Sequence, residues 1–345
     1  MASSSIICFN YIIDSNAVIN FIEKHDIKRV LVQAPNGLKK LYKCIQRILS
    51  SRNLQVYFSS SPTYGGCDLE VYEARLLGVD GIIHIGHNEY PYLVSKPKIP
   101  VLYLPAYYNW KPSKEVLEKL VEILDSNGVN KIGLVASIQH LFSLKDVSQY
   151  LSNRGYRVFI GESKALLKGQ ILGCDYTAGL VLENQVDAYL VIAGGKFHAL
   201  GLALVVNKPV FVLDPYTERI WKADHEAQKI LAKRLYVISS LRNKGFRSAG
   251  IIIGTKLGQY RPGLVKRLVS LLEGNGIEYV LITSNDLSLS NMINIDNALG
   301  LDVYVITSCP RLPIEDLGEF YKPVLTPGEL VMVFDRSITS YKYPW

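Results

Sequence analysis

Cysteine is the residue type in this chain best suited to chemistry, and its spacing is informative. Five cysteines stand at positions 8, 44, 67, 174 and 309. No two form a CxxC pair, and an odd, sparse set does not build a disulfide scaffold. A reducing compartment is the natural reading. Two of the five share a turn, Gly66-Cys67-Asp68 and Gly173-Cys174-Asp175, and each turn leads to an aspartate that opens an apolar run: Val79-Asp80-Gly81-Ile82-Ile83 and Val186-Asp187-Ala188-Tyr189-Leu190. The offset is 107 residues at both features, from 67 to 174 and from 80 to 187. A third such run, Leu301-Asp302-Val303-Tyr304-Val305, lacks the turn but ends in Ser308-Cys309-Pro310-Arg311.

Soft thiolates select iron–sulfur centres or zinc. Three cysteines without a fourth ligand suit a [4Fe-4S] cluster with one iron open. A three-cysteine zinc site completed by water is the competing metal reading, and three small buried hydrophobes the non-metal one. Cys44 falls on the apolar stripe Leu38, Leu41, Cys44, Ile45, Ile48 and reads as core, as does Cys8. Other candidates stand where runs end. Gly194-Gly195-Lys196-Phe197-His198 follows a strand-like run and opens a helix, a geometry that suits an anionic group. Gln259 lies in the loop Lys256-Leu257-Gly258-Gln259-Tyr260-Arg261 that follows a strand-like run, and Arg311, two residues beyond Cys309, is of the type that clamps carboxylates with two donors. Gln170, four residues before Cys174, is placed to brace that cysteine's loop. In His84-Ile85-Gly86-His87 the first imidazole reads as core and the second as facing the site. No Walker A loop, GxSxG elbow or HExxH motif occurs, which removes support for P-loop and common hydrolase chemistry.

The elements that must position these residues recur as short Val/Ile/Leu runs separated by helical periodicity. Residues 28–34, 54–60, 81–87 and 100–106 form one set. Residues 131–137, 156–162, 188–194 and 209–215 form a second, and 249–255, 278–284, 302–308 and 322–327 a third. Continuous apolar runs indicate strands covered on both faces, with helices as crossovers. The fold class is therefore α/β, with three repeated Rossmann-like parallel-sheet domains around a pseudo-threefold centre: residues 1–106, 107–216 and 217–345, one of the three cysteines in each. Ligands of such sheets bind at the carboxyl ends of the strands, where Cys67, Cys174 and Cys309 all fall. The composition is that of a globular protein, 48% hydrophobic and 20% charged, with a net charge of +7 spread along 345 residues. Neither a signal peptide nor a membrane span is expected, so the chain reads as cytoplasmic, with no membrane or direct nucleic-acid partner.

In order along the chain, VQAPNGLK, PTYGGCD, VDGIIHIGH, KGQILGCD, GGKFHALGLAL, LDPY, GTKLGQYRP and SCPRLPIED span residues 32–316. This series resembles the 2-(3-amino-3-carboxypropyl)histidine synthases of diphthamide biosynthesis, in their archaeal single-subunit form. The resemblance implies a [4Fe-4S] cluster on Cys67, Cys174 and Cys309, and a homodimer. It further implies S-adenosylmethionine cleaved between sulfur and the γ-carbon with electrons from a donor. The 3-amino-3-carboxypropyl radical then adds to a histidine imidazole of translation elongation factor 2, and methylthioadenosine is released. On this reading Gln259, Arg311, Gly194, Gly195, His198 and Gln170 surround the cofactor. Two departures from the family pattern stand out. Ser59-Ser60-Ser61-Pro62 replaces a turn that is often acidic, and NEYPY follows HIGH in place of a run of small residues. A quinolinate synthase-like [4Fe-4S] dehydratase and a non-catalytic scaffold subunit of the same fold are the alternatives.

Overall fold

In a computed structural model, which describes residues 5–338 and 340–343, all twelve apolar runs are strands. Two strands precede them: β1 (Ser5–Cys8) and β2 (Tyr11–Asp14) form an antiparallel hairpin. The first parallel sheet contains β3 (Arg29–Gln33), β4 (Gln55–Phe58), β5 (Gly81–Ile85) and β6 (Val101–Leu104), in the order β4-β3-β5-β6. β7 (Tyr107–Tyr108) then returns to pair with β2. The second sheet runs β9-β8-β10-β11, from β8 (Lys131–Ala136), β9 (Arg157–Phe159), β10 (Ala188–Ile192) and β11 (Val210–Asp214). One antiparallel strand, β12 (Arg219–Lys222), extends it beyond β11. The third runs β14-β13-β15-β16, from β13 (Ser248–Gly254), β14 (Glu278–Ser284), β15 (Val303–Ile306) and β16 (Val324–Leu325). The order second-first-third-fourth therefore recurs in all three sheets.

The recurrent aspartate has a mechanical explanation. Asp80, just before β5, accepts from the N–H groups of Lys28 and Arg29 at 3.0 and 2.8 Å. Asp187, just before β10, does the same for Asn130 and Lys131 at 3.1 and 2.8 Å. Asp302, just before β15, serves Arg247 and Ser248 at 2.9 and 3.0 Å. In each sheet the acid that opens the third strand satisfies two donors at the start of the first, which fixes where the two strands begin relative to each other.

Helices cover the sheets. α1 (Ser15–Lys24) and α2 (Tyr42–Leu49) pack on the first, and α3 (Val71–Leu76) follows the Cys67 loop. α4 (Lys114–Ser126), α5 (Ser143–Asn153), α6 (Thr177–Leu180) and α7 (Phe197–Ala203) enclose the second. α8 (Asp224–Lys244) leads to the third, which carries α9 (Pro262–Gly274), α10 (Leu289–Leu299) and α11 (Pro327–Phe334). Cys44 and Cys8 are buried, as expected of core residues, but the structure joins them in a disulfide with Cα atoms 6.6 Å apart. That corrects the reading of all five cysteines as unpaired. The N-terminal hairpin, too short to announce itself in the sequence, brings β1 against α2. The cysteine count consequently no longer argues for a reducing compartment. Among the described residues, no helix is long and apolar enough to cross a membrane.

One buried ion pair holds the third sheet to the helix leading into it. Arg234 of α8 donates from Nε and Nη2 to Glu329 of α11 at 2.7 and 2.6 Å. It also donates to the carbonyls of Pro313 and Val324. Glu329 completes a capping box with Thr326 at the start of α11. Removing one partner strands the other charge in the core. Arg234→Ala is therefore expected to lower the unfolding free energy by about 3–5 kcal/mol; an unchanged urea midpoint would contradict this account.

Candidate metal centre

Cys67 follows β4, Cys174 follows β9 and Cys309 follows β15, so each lies past the carboxyl end of a strand in a different sheet. The Cys67 loop is clamped from two directions. Gln33, fully buried at the end of β3, donates to the Asp68 carbonyl at 2.7 Å and accepts from the Glu70 N–H at 2.9 Å. Lys256, just past β13, donates to the Asp68 carboxylate at 2.8 Å, both side chains being almost fully buried. Two residues on, the Gly258 N–H donates to the Cys67 carbonyl at 2.9 Å. A Cβ at 258 would lie 2.5 Å from the Cα and Cβ of Cys67, so the GTKLG loop lies on the cysteine so closely that only glycine fits.

The Cys174 loop is held from the first sheet. Gln170 and Asn88 exchange amide hydrogen bonds of 2.7 and 3.1 Å, which ties the segment before Cys174 to the segment after β5. Asp175 accepts from the Thr177 N–H at 2.8 Å and from the Tyr92 hydroxyl. The Tyr90 hydroxyl lies 3.6 Å from the Cys174 sulfur and accepts from Arg261 Nη2 at 2.9 Å. Arg261 in turn donates from Nη1 to the carbonyls of Gly258 and Ser308, at 3.1 and 3.3 Å, and so reaches the residue before Cys309.

Cys67 feels the other two thiols, and Cys174 feels Cys309. Burial pushes Cys67 up to about 12, and Cys174 and Cys309 add to the rise. Burial takes Cys174 to about 11. It raises Cys309 as well, opposed by the N–H groups of Arg311 and Leu312 and by the Arg311 charge. Among the described residues no three His, Cys, Asp or Glu side chains converge closely enough to hold one metal ion.

The remaining candidates divide. Gln259 Nε2 lies 3.9 Å from the Cys67 sulfur. Arg311 is buried, stacks over the Phe197 ring at 4.5 Å and pairs with Glu315, while its Nε and Nη1 have no hydrogen-bond partner. His198 lies within the electrostatic reach of Arg311, His140 and His87. Gly195 adopts a positive φ of 67°, and its N–H donates to Asp214 at 3.0 Å, so this amide is taken by the protein itself. A side chain at Gly194 would strike the Tyr216 ring. His84 is fully buried and its Nε2 lies 2.8 Å from His87 Nδ1. In the Ser59-Ser60-Ser61-Pro62 turn, Ser59 donates to Glu73 at 2.7 Å. A cavity of about 630 Å³ opens beside Cys174, lined in part by Tyr92, Tyr176, Arg261, Arg267 and Tyr343.

Sequence reasoning missed Tyr90, Arg261 and Lys256 as site residues. Tyr90 lies in the NEYPY departure, while Arg261 and Lys256 flank Gln259 in GTKLGQYRP, which were the available signals.

Residues 34–344 match the family described as "Putative diphthamide synthesis protein". The chain is 32% identical to the 2-(3-amino-3-carboxypropyl)histidine synthase of Pyrococcus horikoshii, covering 92% of this chain and 89% of that protein. It is 28% identical to human 2-(3-amino-3-carboxypropyl)histidine synthase subunit 1, over 97% of this chain and 74% of that one. Among solved structures it superposes on Dph2 from Pyrococcus horikoshii with a 4Fe-4S cluster, with a TM-score of 0.82, 30% identity, and 96% and 93% of the two chains covered.

Two outcomes follow from the geometry. Gly258→Ala is expected to displace the Cys67 loop and reduce the metal bound per chain, read by elemental analysis after anaerobic purification; full occupancy would contradict the close approach. The histidines near the centre give a pH dependence. Imidazoles titrate near 6.5 in unfolded chains, but burial lowers His87 and His140 to about 4 and His198 to about 3. The unfolded chain binds more protons between those values, so the stability these residues contribute is complete above about pH 6.5 and is lost as pH falls towards about 4. Urea midpoints should drop over that interval, and less steeply in His140→Phe.

Proposed function

The chain belongs to the diphthamide synthesis family, and from that premise we propose that it carries out the first step of diphthamide formation. It transfers the 3-amino-3-carboxypropyl group of S-adenosylmethionine to an imidazole carbon of a histidine in translation elongation factor 2. The observation that carries the reading is that Cys67, Cys174 and Cys309 each follow a strand of a different parallel sheet, with Cys174 and Cys309 near enough to Cys67 to raise its proton affinity. These three would hold a [4Fe-4S] cluster, which when bound would supply the single electron needed to break the bond between sulfur and the γ-carbon, by a radical route outside the usual CxxxCxxC class. Thiolates so disfavoured by burial gain a cationic partner from it.

The residues around the centre have the work of orientation, because position decides which of the three carbon–sulfur bonds of a sulfonium breaks. Arg311 offers the unpartnered Nε and Nη1 donors to the methionine carboxylate. Gln259, beside Cys67, supplies a further amide. His198, kept neutral by burial and by Arg311, presents an uncharged imidazole that does not repel the sulfonium. Gly194 allows Tyr216 to pack close, and Gly195 fixes the turn that starts α7. The cavity beside Cys174 gives the protein substrate's histidine a route to the γ-carbon. The fold reading that accompanies this function is three Rossmann-like repeats, 1–106, 107–216 and 217–345, supported by the common strand order and by the three equivalent aspartates. A homodimer, a cytoplasmic location and an external electron donor complete it.

Anaerobic purification should give a brown protein with about four irons per chain, and Cys174→Ala should lose colour and iron together. Incubation with S-adenosylmethionine and dithionite should then release methylthioadenosine. Formation of 5′-deoxyadenosine alone, or a colourless protein carrying zinc only, would sink the proposal.

A further inference from the structure

The cavity beside Cys174 takes its walls from all three parts of the chain. Tyr92 and Val94 come from the segment after β5, Asp175 and Leu180 from the turn and short helix that follow Cys174, and Arg261 and Arg267 from the start of α9. At about 630 Å³ it admits a side chain and its immediate neighbours, not a folded surface. Three tyrosine rings line it. Tyr176 and Tyr343 are 2% and 9% exposed, so their faces are already covered, whereas Tyr92 is 44% exposed. The Tyr92 hydroxyl is given to Asp175 and its ring meets Tyr90 edge-on at 5.5 Å, which holds the open face still. A fixed aromatic ring half out of water is a good anchor for a partner. Val94 and Leu180, exposed on separate loops, add apolar surface to the same mouth.

Of the charged side chains in this wall, all but one are committed. Asp175 accepts from the Thr177 N–H and the Tyr92 hydroxyl. Arg261 donates to Tyr90 and to the carbonyls of Gly258 and Ser308. Arg267 is exposed on α9 and has no hydrogen bond or ion pair among the described residues. Nor does its own helix offer it an acid: the positions three and four places away are Gly263, Leu264, Ser270 and Leu271. A guanidinium left open at the rim of a cavity can take a carboxylate through two donors.

We propose that this mouth selects the protein substrate: the Tyr92 ring stacks on the imidazole of the target histidine, and Arg267 pairs with an acidic residue on the loop that carries it. The proposal rests on the transferase reading above and adds which residues recognise the substrate. Stacking suits the task, because it fixes the plane of the imidazole and leaves both nitrogens and the carbon between them uncovered at the ring edge. The charge of the wall points the same way. Two arginines against one aspartate favour an uncharged imidazole over its cation, and a histidine with its usual value near 6.5 is uncharged in most copies at neutral pH. Since the first, second and third sheets each contribute to the wall, the seat exists only when the three are assembled around the cysteines.

Calorimetric titration of the iron-loaded full chain with unmodified elongation factor 2 tests this without requiring turnover. Arg267→Glu should weaken binding at least about fivefold, and Arg267→Gln should flatten the fall of affinity with added salt. Tyr92→Ala, and replacement of the target histidine by alanine in the elongation factor, should each weaken binding. Combined, they should cost little more than either alone, because both remove one contact. Tyr92→Phe, which keeps the ring, should bind more tightly than Tyr92→Ala. Iron per chain and the circular dichroism spectrum, read for every variant, show that the fold is kept, and Arg267, exposed on its helix, supplies a variant that does not touch the Cys174 loop. Wild-type affinity in Arg267→Glu, additive losses in the paired replacement, or a wild type that does not bind the elongation factor overturns the proposal. Methylthioadenosine release by the wild type is measured separately. Its absence ends the transferase reading, while the binding results still decide the seat.

Discussion

A cysteine that loses hydration beside other cysteines resists becoming a thiolate, because burial and like charge both disfavour the anion. Cys67 shows both effects, raised first by burial and then by Cys174 and Cys309. A chain that brings such groups together must hold them against that repulsion, and the surrounding bonds have that character. Asp68 is tied to Lys256 across 188 residues, Asn88 to Gln170 across 82, and Tyr90 to Arg261 across 171. Each connects a loop from one sheet to a loop from another. The centre is held by links between the sheets as much as by the sheets themselves.

The two GCD turns illustrate how a repeated sequence serves non-identical surroundings. The aspartates of both turns are buried and bonded, but Asp68 takes a lysine from beyond β13, whereas Asp175 takes a tyrosine from beyond β5. The third cysteine has no aspartate beside it. Its field comes instead from the N–H groups and guanidinium of Arg311. A trimer of identical subunits would have three equal environments. One chain has been free to give each sulfur its own, leaving Arg311 with two donors unspent on the protein.

Much of this was legible in the sequence for a physical reason. Strands covered on both faces must be apolar throughout, so the twelve runs stood out, and the recurring aspartates marked the third strand of each sheet because that position caps the first. What escaped notice was short or distant. The β1–β2 hairpin has four residues in each strand, too few for a periodic signal, and without it the meeting of Cys8 with Cys44 had no visible cause. β12 is likewise a four-residue strand with two charged ends. Gln170 could be placed because it precedes Cys174 closely in sequence. Tyr90 could not, since nothing in a linear reading puts residue 90 beside residue 174.

The NEYPY segment repays attention in that light. Arginine only donates, so the Tyr90 oxygen must accept from Arg261, which leaves the phenolic proton free to point at the Cys174 sulfur. Two residues on, the Tyr92 hydroxyl is given to Asp175, the neighbour of that cysteine. Alternate residues of one short segment therefore grip adjacent residues of the other loop, with Pro91 between them restricting the backbone that spaces them. Hydrogen bonds to sulfur are among the levers by which a protein sets the potential of an iron–sulfur centre. The NEYPY segment thus supplies a hydroxyl 3.6 Å from the Cys174 sulfur, and the arginine that fixes its direction also reaches the residue before Cys309.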